Sequence, residues 1–190
     1  ICIADPLRKE AKAAIEALHA CGISKVVMMT GDNRKTAQAV AREVGVDQFY
    51  ADVLPEDKAS FIRQEKSAGR KVIMIGDGVN DTPALSEADV GIAINTGAAI
   101  AREIADVTIA SEDLFELVTL RKISQALMNR IHRNYRFIVG FNCMLIALGV
   151  AGVIQPTTSA LLHNASTLGI SLDSMTDLLD KEKECKEPEA

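Results

Sequence analysis

The chain has 190 residues, 21 Lys and Arg against 26 Asp and Glu, and a formal net charge of -5 at pH 7. With 48% hydrophobic residues it can bury a core, while the acidic balance and 4% aromatic content exclude a general nucleic-acid binder. Cys2, Cys21, Cys143 and Cys185 lie far apart, with no Cys-x-x-Cys spacing, and read as isolated thiols in a reducing compartment.

In chain order, Ile1-Cys2-Ile3-Ala4-Asp5 reads as a strand with no basic leader before it, so the chain is expected to begin in mid-fold. From there to about residue 111, apolar runs of strand length alternate with amphipathic stretches of helix length, the pattern of a parallel sheet flanked by helices. Strands are expected at residues 2–4, 25–29, 72–75, 90–94 and 107–109, and helices at 8–20, 35–44, 56–68 and 83–88. Ligands of such sheets bind beyond the carboxyl ends of the strands, so the turns after Ala4, Met29 and Ile75 should converge.

From Leu114 the character changes. Residues 114–136 form a long helical stretch ending in Arg130, His132, Arg133 and Arg136, and the uncharged run 137–154 follows. As a helix that run would reach about 27 Å, close to the hydrocarbon thickness of a bilayer, and the arginines before it would mark the cytoplasmic side. A buried core helix is the competing account. Gln155-Pro156-Thr157-Thr158 should turn the chain into a second helix, 159–179, whose polar residues His163, Asn164, Ser166, Thr167 and Asp173 must face protein or a transport path if it spans. Residues 180–190 mix Lys, Glu and a proline and are expected to be disordered.

Chemistry concentrates at the strand ends. Gly76-Asp77-Gly78-Val79-Asn80-Asp81 places Asp77 at the end of an apolar strand and Asp81 at the start of the next helix, two hard carboxylates suited to magnesium and phosphate. An Asp/Asn/Gly turn with a helix cap at Asp81 is the alternative. Thr30-Gly31-Asp32-Asn33 offers a hydroxyl and backbone N–H groups at a helix N-terminus, and Pro55-Glu56-Asp57-Lys58 opens a helix with a lysine one turn in. With the acidic strand end Asp5-Pro6-Leu7-Arg8, they supply the hydroxyl, the cation and the acid pair that phosphoryl transfer needs around one phosphate.

These four motifs, the last continuing as Thr82-Pro83-Ala84-Leu85, occur in the order found in the phosphorylation domain of P-type ATPases, which this chain resembles over nearly its whole length. The resemblance implies a partial, haloacid-dehalogenase-like, Rossmann-type parallel α/β sheet followed by a membrane α-helical hairpin. It also implies a division into a phosphorylation domain (1–113), a connecting helix (114–136), two membrane helices (137–179) and a cytoplasmic tail (180–190). Thr30 would bind the phosphoryl group, with Gly31 and Asp32 shaping its loop. Lys58 would offset its charge, Asp77 and Asp81 would hold Mg2+, and Asn80 would support metal and phosphate.

The short carboxyl end, with His163-Asn164-Ala165-Ser166-Thr167-Leu168 in its last helix, is similar to the heavy-metal-transporting branch. There Asn142, His163, Asn164, Ser166 and Thr167 would line a path for the transported cation. Imidazole, amide and hydroxyl groups suit zinc, cadmium, nickel or cobalt better than copper(I), although a copper pump remains an alternative. The family's nucleophile, the aspartate of Asp-Lys-Thr-Gly, is not in this sequence, so the chain by itself is expected to be inactive. The nucleophile, most of the ATP site and the other pump domains would lie upstream, within a multi-pass cell-membrane protein surrounded by lipid, with residues 1–136 and 180–190 in the cytoplasm. A soluble phosphatase of the same fold, or a non-catalytic phosphate-binding module, are the further alternatives.

Overall fold

A computed structural model of the chain describes residues 7–76, 79–94, 103–110 and 113–178. They fall into two compact units, Ile1–Thr119 and Leu120–Ala190. The expected strand at residues 2–4 and the expected disordered tail lie outside the described residues.

In the first unit, strands and helices alternate: α1 (Ala11–Ala20), β1 (Val27–Met29), α2 (Arg34–Val44), β2 (Gln48–Tyr50), α3 (Pro55–Ser67), β3 (Ile73–Gly76), a 3-10 turn (Val79–Asp81), α4 (Thr82–Glu87), β4 (Val90–Ile94) and β5 (Val107–Ile109). Every strand pairing is parallel, as the alternation predicts. β1 pairs with β2, Val27 facing Gln48, and β3, β4 and β5 form a second ladder in that order, Ile73 facing Val90 and Ile92 facing Val107. Among the described residues β1 and β3 each have a partner on one side only.

The helices start and stop for local reasons. Asn33 is extended and its side chain accepts from the N–H groups of Lys35 and Thr36, capping α2, which Gly45 ends in the left-handed conformation at φ 81°. Pro55 sits in the first turn of α3, where its missing N–H costs nothing, and the Asp57 carboxylate accepts from the Leu54 N–H at 3.2 Å. The core joins small residues of the helices, Ala37, Ala41, Ala59 and Ala84, to Ile62, Leu85 and the continuous apolar strand β4. Gly91 in β4 is required by packing, because a β-carbon there would stand 2.7 Å from the Leu85 carbonyl oxygen.

The parallel ladders share a device at their amino ends. Asp47, Asp89 and Asp106, each just before a strand, accept backbone N–H groups of the neighbouring strand's start: Val26 at 2.6 Å, Val72 at 3.0 Å and Gly91 at 2.8 Å. These carboxylates satisfy donors that the ladder itself leaves over.

The second unit contains the helical pair formed by α5 (Phe115–Val150), which begins in the first unit, and α6 (Pro156–Ser174). Polar contacts hold the two helices together. The Arg130 guanidinium donates to the carbonyls of Thr176 and Asp177 at 2.7 and 2.8 Å and to that of Ser174 at 3.3 Å, satisfying orphan acceptors at the carboxyl end of α6. Arg133 pairs with Asp173 at 2.7 Å. Two helices pair as expected, but the expected membrane hairpin is not supported. The run 137–154 does not stay helical: α5 ends at Val150, and the chain turns through 151–154 with Gly152 at φ 71°. The uncharged helical part, 137–150, reaches only about 21 Å. Among the described residues no helix is long and apolar enough to cross a membrane. The turn expected at 155–158 is likewise displaced, because Pro156 opens α6 in the position where proline favours a helix.

Candidate functional site

Lys58 and Asp81 are separated by 23 positions, and the fold brings their side chains together. The Lys58 Nζ donates to Asp81 Oδ1 at 2.7 Å, and the two side chains are only 15% and 12% exposed. α3 presents Lys58 one turn after its proline start, and α4 packs on α3 with Asp81 at its amino end. Asp81 is the buried charged residue of the described core, and its carboxylate makes no capping bond to α4. The simple cap reading is thus replaced by an ion pair.

Gly76 lets that carboxylate sit where it does. A β-carbon on Gly76 would lie 2.7 Å from Asp81 Cβ and 2.8 Å from its Oδ2, so the end of β3 and the side chain of Asp81 occupy one packed volume. Asp77 and Gly78 lie outside the described residues. Asn80, in the 3-10 turn, is exposed.

The loop after β1 is linked to the same region through the backbone. Thr30 N–H donates to the Tyr50 carbonyl, continuing the β1–β2 ladder, and the Thr30 carbonyl accepts from Val53 N–H at 3.0 Å, two residues before α3. The Thr30 hydroxyl donates to Asp32 Oδ2 at 2.8 Å and accepts from Asp32 N–H at 3.1 Å, closing a tight turn. Gly31 is not forced by sterics, since an added β-carbon would meet only the Val53 carbonyl oxygen at 3.8 Å. Sequence reasoning assigned no role to Thr82, whose buried hydroxyl has no hydrogen-bond partner among the described residues. Its only sequence signal is its place next to Asp81.

In the second unit, His163 Nδ1 and Asn142 Oδ1 stand 2.8 Å apart, joining α5 to α6. Ser166 and Thr167 return their hydroxyls to the His163 carbonyl at 2.8 and 3.0 Å, so both are engaged within their own helix. Asn164 is exposed. Among the described residues no group of three or more His, Cys, Asp or Glu is arranged to hold a metal ion.

Residues 1–89 match the family model of haloacid dehalogenase-like hydrolases. The chain is 46% identical over 162 residues to the copper-transporting ATPase 2 of Rhizobium meliloti, covering 85% of this chain and 19% of that protein. It is 41% identical over 175 residues to the copper-exporting P-type ATPase of Staphylococcus aureus, covering 92% and 22%. It thus spans about a fifth of the length of these relatives. The structure is similar to that of a zinc-transporting PIB-type ATPase in the E2.Pi state, with a TM-score of 0.84, 32% identity, and coverage of 90% of this chain and 28% of that one. The α/β fold is haloacid-dehalogenase-like.

Proposed function

The chain belongs to the heavy-metal P-type ATPase family, and we propose that in the intact protein it supplies the magnesium and phosphate site of an ATP-driven exporter of heavy-metal cations. The Lys58–Asp81 pair carries this reading. An ammonium group has three protons; one is directed at Asp81, leaving two for phosphoryl oxygens. Burial strengthens each of these bonds, because little water competes.

The donor set fits magnesium in kind. Asp81 keeps its Oδ2 free of Lys58, the small Gly76 gives that carboxylate its space, and Asp77 adds a second hard oxygen donor from the sequence. When bound there, Mg2+ would offset charge on the phosphoryl group delivered by ATP. Thr30 would turn its hydroxyl from Asp32 to a phosphoryl oxygen, Gly31 and Asp32 would hold that loop, and Asn80 would lie at the metal's edge. The acceptor aspartate would come from an upstream Asp-Lys-Thr-Gly strand, which residues 1–113 would hold as part of the phosphorylation domain.

Residues 114–136 would link this domain to the pump's membrane part, and 137–179 would lie within it. The exposed apolar side chains of the helical pair, among them Ile146, Val150, Leu161 and Leu168, support that placement, since they require a cover of lipid or neighbouring helices. Residues 1–136 and 180–190 would then be cytoplasmic. Among the described residues neither helix is long and apolar enough to cross a membrane, so the placement relies on the pump's other helices. The nitrogen and oxygen donors of His163 and Asn142 favour a divalent ion, zinc, cadmium, nickel or cobalt. A copper cargo is the second reading, supported by the names of the relatives above.

Phosphoenzyme formation by the intact protein from labelled ATP tests the site. Lys58→Ala and Asp81→Asn should each lower it on the order of a hundredfold or more, and wild-type labelling in both variants overturns the reading. ATPase stimulation by individual metals, compared between wild type and His163→Ala, separates the two cargo readings. Stimulation by zinc or its neighbours that falls in the variant supports the divalent one, and stimulation by copper(I) alone supports the other.

A further inference from the structure

A cleft of about 670 Å³ opens in the second unit beside the base of the helical pair, lined among others by Asn129, Arg130, His132, Arg133, Arg136 and Leu178. We propose that this cleft binds the phosphate headgroup of an anionic phospholipid, a site separate from the phosphate chemistry of Lys58 and Asp81.

Three observations carry it. Arg130 and Arg133 are fixed in place, the first by carbonyls at the end of α6 and the second by Asp173. Arg130, bonded to neutral carbonyls, keeps its positive charge at the cleft wall without needing to be ordered by a ligand, while the charge of Arg133 is offset by Asp173. Arg136 and His132, by contrast, line the cleft with no hydrogen bond or ion pair among the described residues. Asn129, Arg133 and Arg136 succeed one another at four and three positions on α5, which places them on one helix face. The nearby carboxylate of Asp173 is already paired with Arg133.

The residues after the cluster favour a lipid over free phosphate. Phe137, Ile138 and Val139 come directly after Arg136 and are 52%, 41% and 43% exposed. A phosphodiester with acyl chains matches a cationic cleft whose helix runs on into exposed apolar residues, whereas inorganic phosphate matches the cleft alone.

Flotation of the 190-residue chain with vesicles tests the proposal. Phosphatidylcholine vesicles containing phosphatidylglycerol should bind more tightly than phosphatidylcholine alone, with the difference weakened by salt. Arg136→Gln should reduce the affinity for the anionic vesicles about fivefold, Arg136→Lys should restore most of it, and excess inorganic phosphate should leave it unchanged. Lys122→Gln, which removes an α5 charge outside the cleft, should have a smaller effect than Arg136→Gln. Equal binding to neutral and anionic vesicles, equal losses in the Lys122 and Arg136 variants, or displacement by inorganic phosphate would each overturn it.

Discussion

Gly76 and Gly31 both lie in motifs of the candidate site, yet only one of them is sterically compelled. At Gly76 an added methyl would collide with the β-carbon of Asp81, an atom that cannot swing away without moving backbone, so Gly76→Ala should cost about 1–3 kcal/mol. Gly31→Ala meets an ordinary contact and should change stability by no more than about 0.5 kcal/mol. Thermal unfolding of the two variants checks this, and equal destabilisation would remove the packing argument. The Lys58–Asp81 pair makes a second claim at the same scale. Lys58→Met or Asp81→Asn leaves one poorly solvated group without its partner and should cost about 2 kcal/mol, less than in a fully dry pair because some water reaches both side chains. The double variant should cost less than the sum of the singles, measured by hydrogen exchange in α3 and α4. Strict additivity would mean that the two groups do not depend on each other. Both residues were legible in the sequence as members of separate motifs. Their mutual contact was not, since nothing local encodes the packing of α3 on α4.

Among the elements, the strands that are continuous apolar runs were legible to within a residue or two, as at β4, where both faces are buried and every position must be apolar. β2 was missed because it is Gln48-Phe49-Tyr50, three residues with two of them exposed, too short and too polar for an apolar run to stand out. The helical pair was misjudged for the opposite reason. Its apolar composition continues through 151–154, but Gly152 takes a left-handed conformation and the helix stops at Val150, a backbone event that hydrophobicity does not register. The aspartates at the strand starts were also unread, and one of them, Asp89, carries a pH dependence. The bond from Val72 N–H, and secondarily the Lys71 ammonium, hold the Asp89 carboxyl below its ordinary value of 3.8. With a lower pKa in the folded than in the unfolded chain, its contribution is complete above the unfolded value and is lost as pH falls through the folded one. Acid titration followed by circular dichroism should therefore show Asp89→Asn with a shallower loss of stability below about pH 4. An unchanged acid limb would show that the bond contributes nothing net.

At the scale of the whole molecule, the first unit presents two parallel ladders, and β1 and β3 are each paired on one side only among the described residues. Strands of a parallel sheet in an α/β fold are normally covered on both faces. β3 departs from this, with Ile73 and Ile75 44% and 39% exposed in a segment of strongly apolar composition. The site residues Thr30 and Gly76 stand at the carboxyl ends of these same two strands. A strand joined to their free edges would bring its own carboxyl end to the site, the place that the proposed upstream Asp-Lys-Thr-Gly segment has to occupy. Extending the chain upstream through that segment should then stabilise the first unit. Completing the cover of the two isoleucines contributes roughly 1 kcal/mol each, before counting new ladder bonds at about the same magnitude. The extended protein should melt several degrees higher than the 190-residue chain, and the amides of β1 and β3 should exchange more slowly. If the melting temperature and those amides are unchanged, the two edges are completed in some other way, and the aspartate must reach Lys58 and Asp81 by a route other than the sheet.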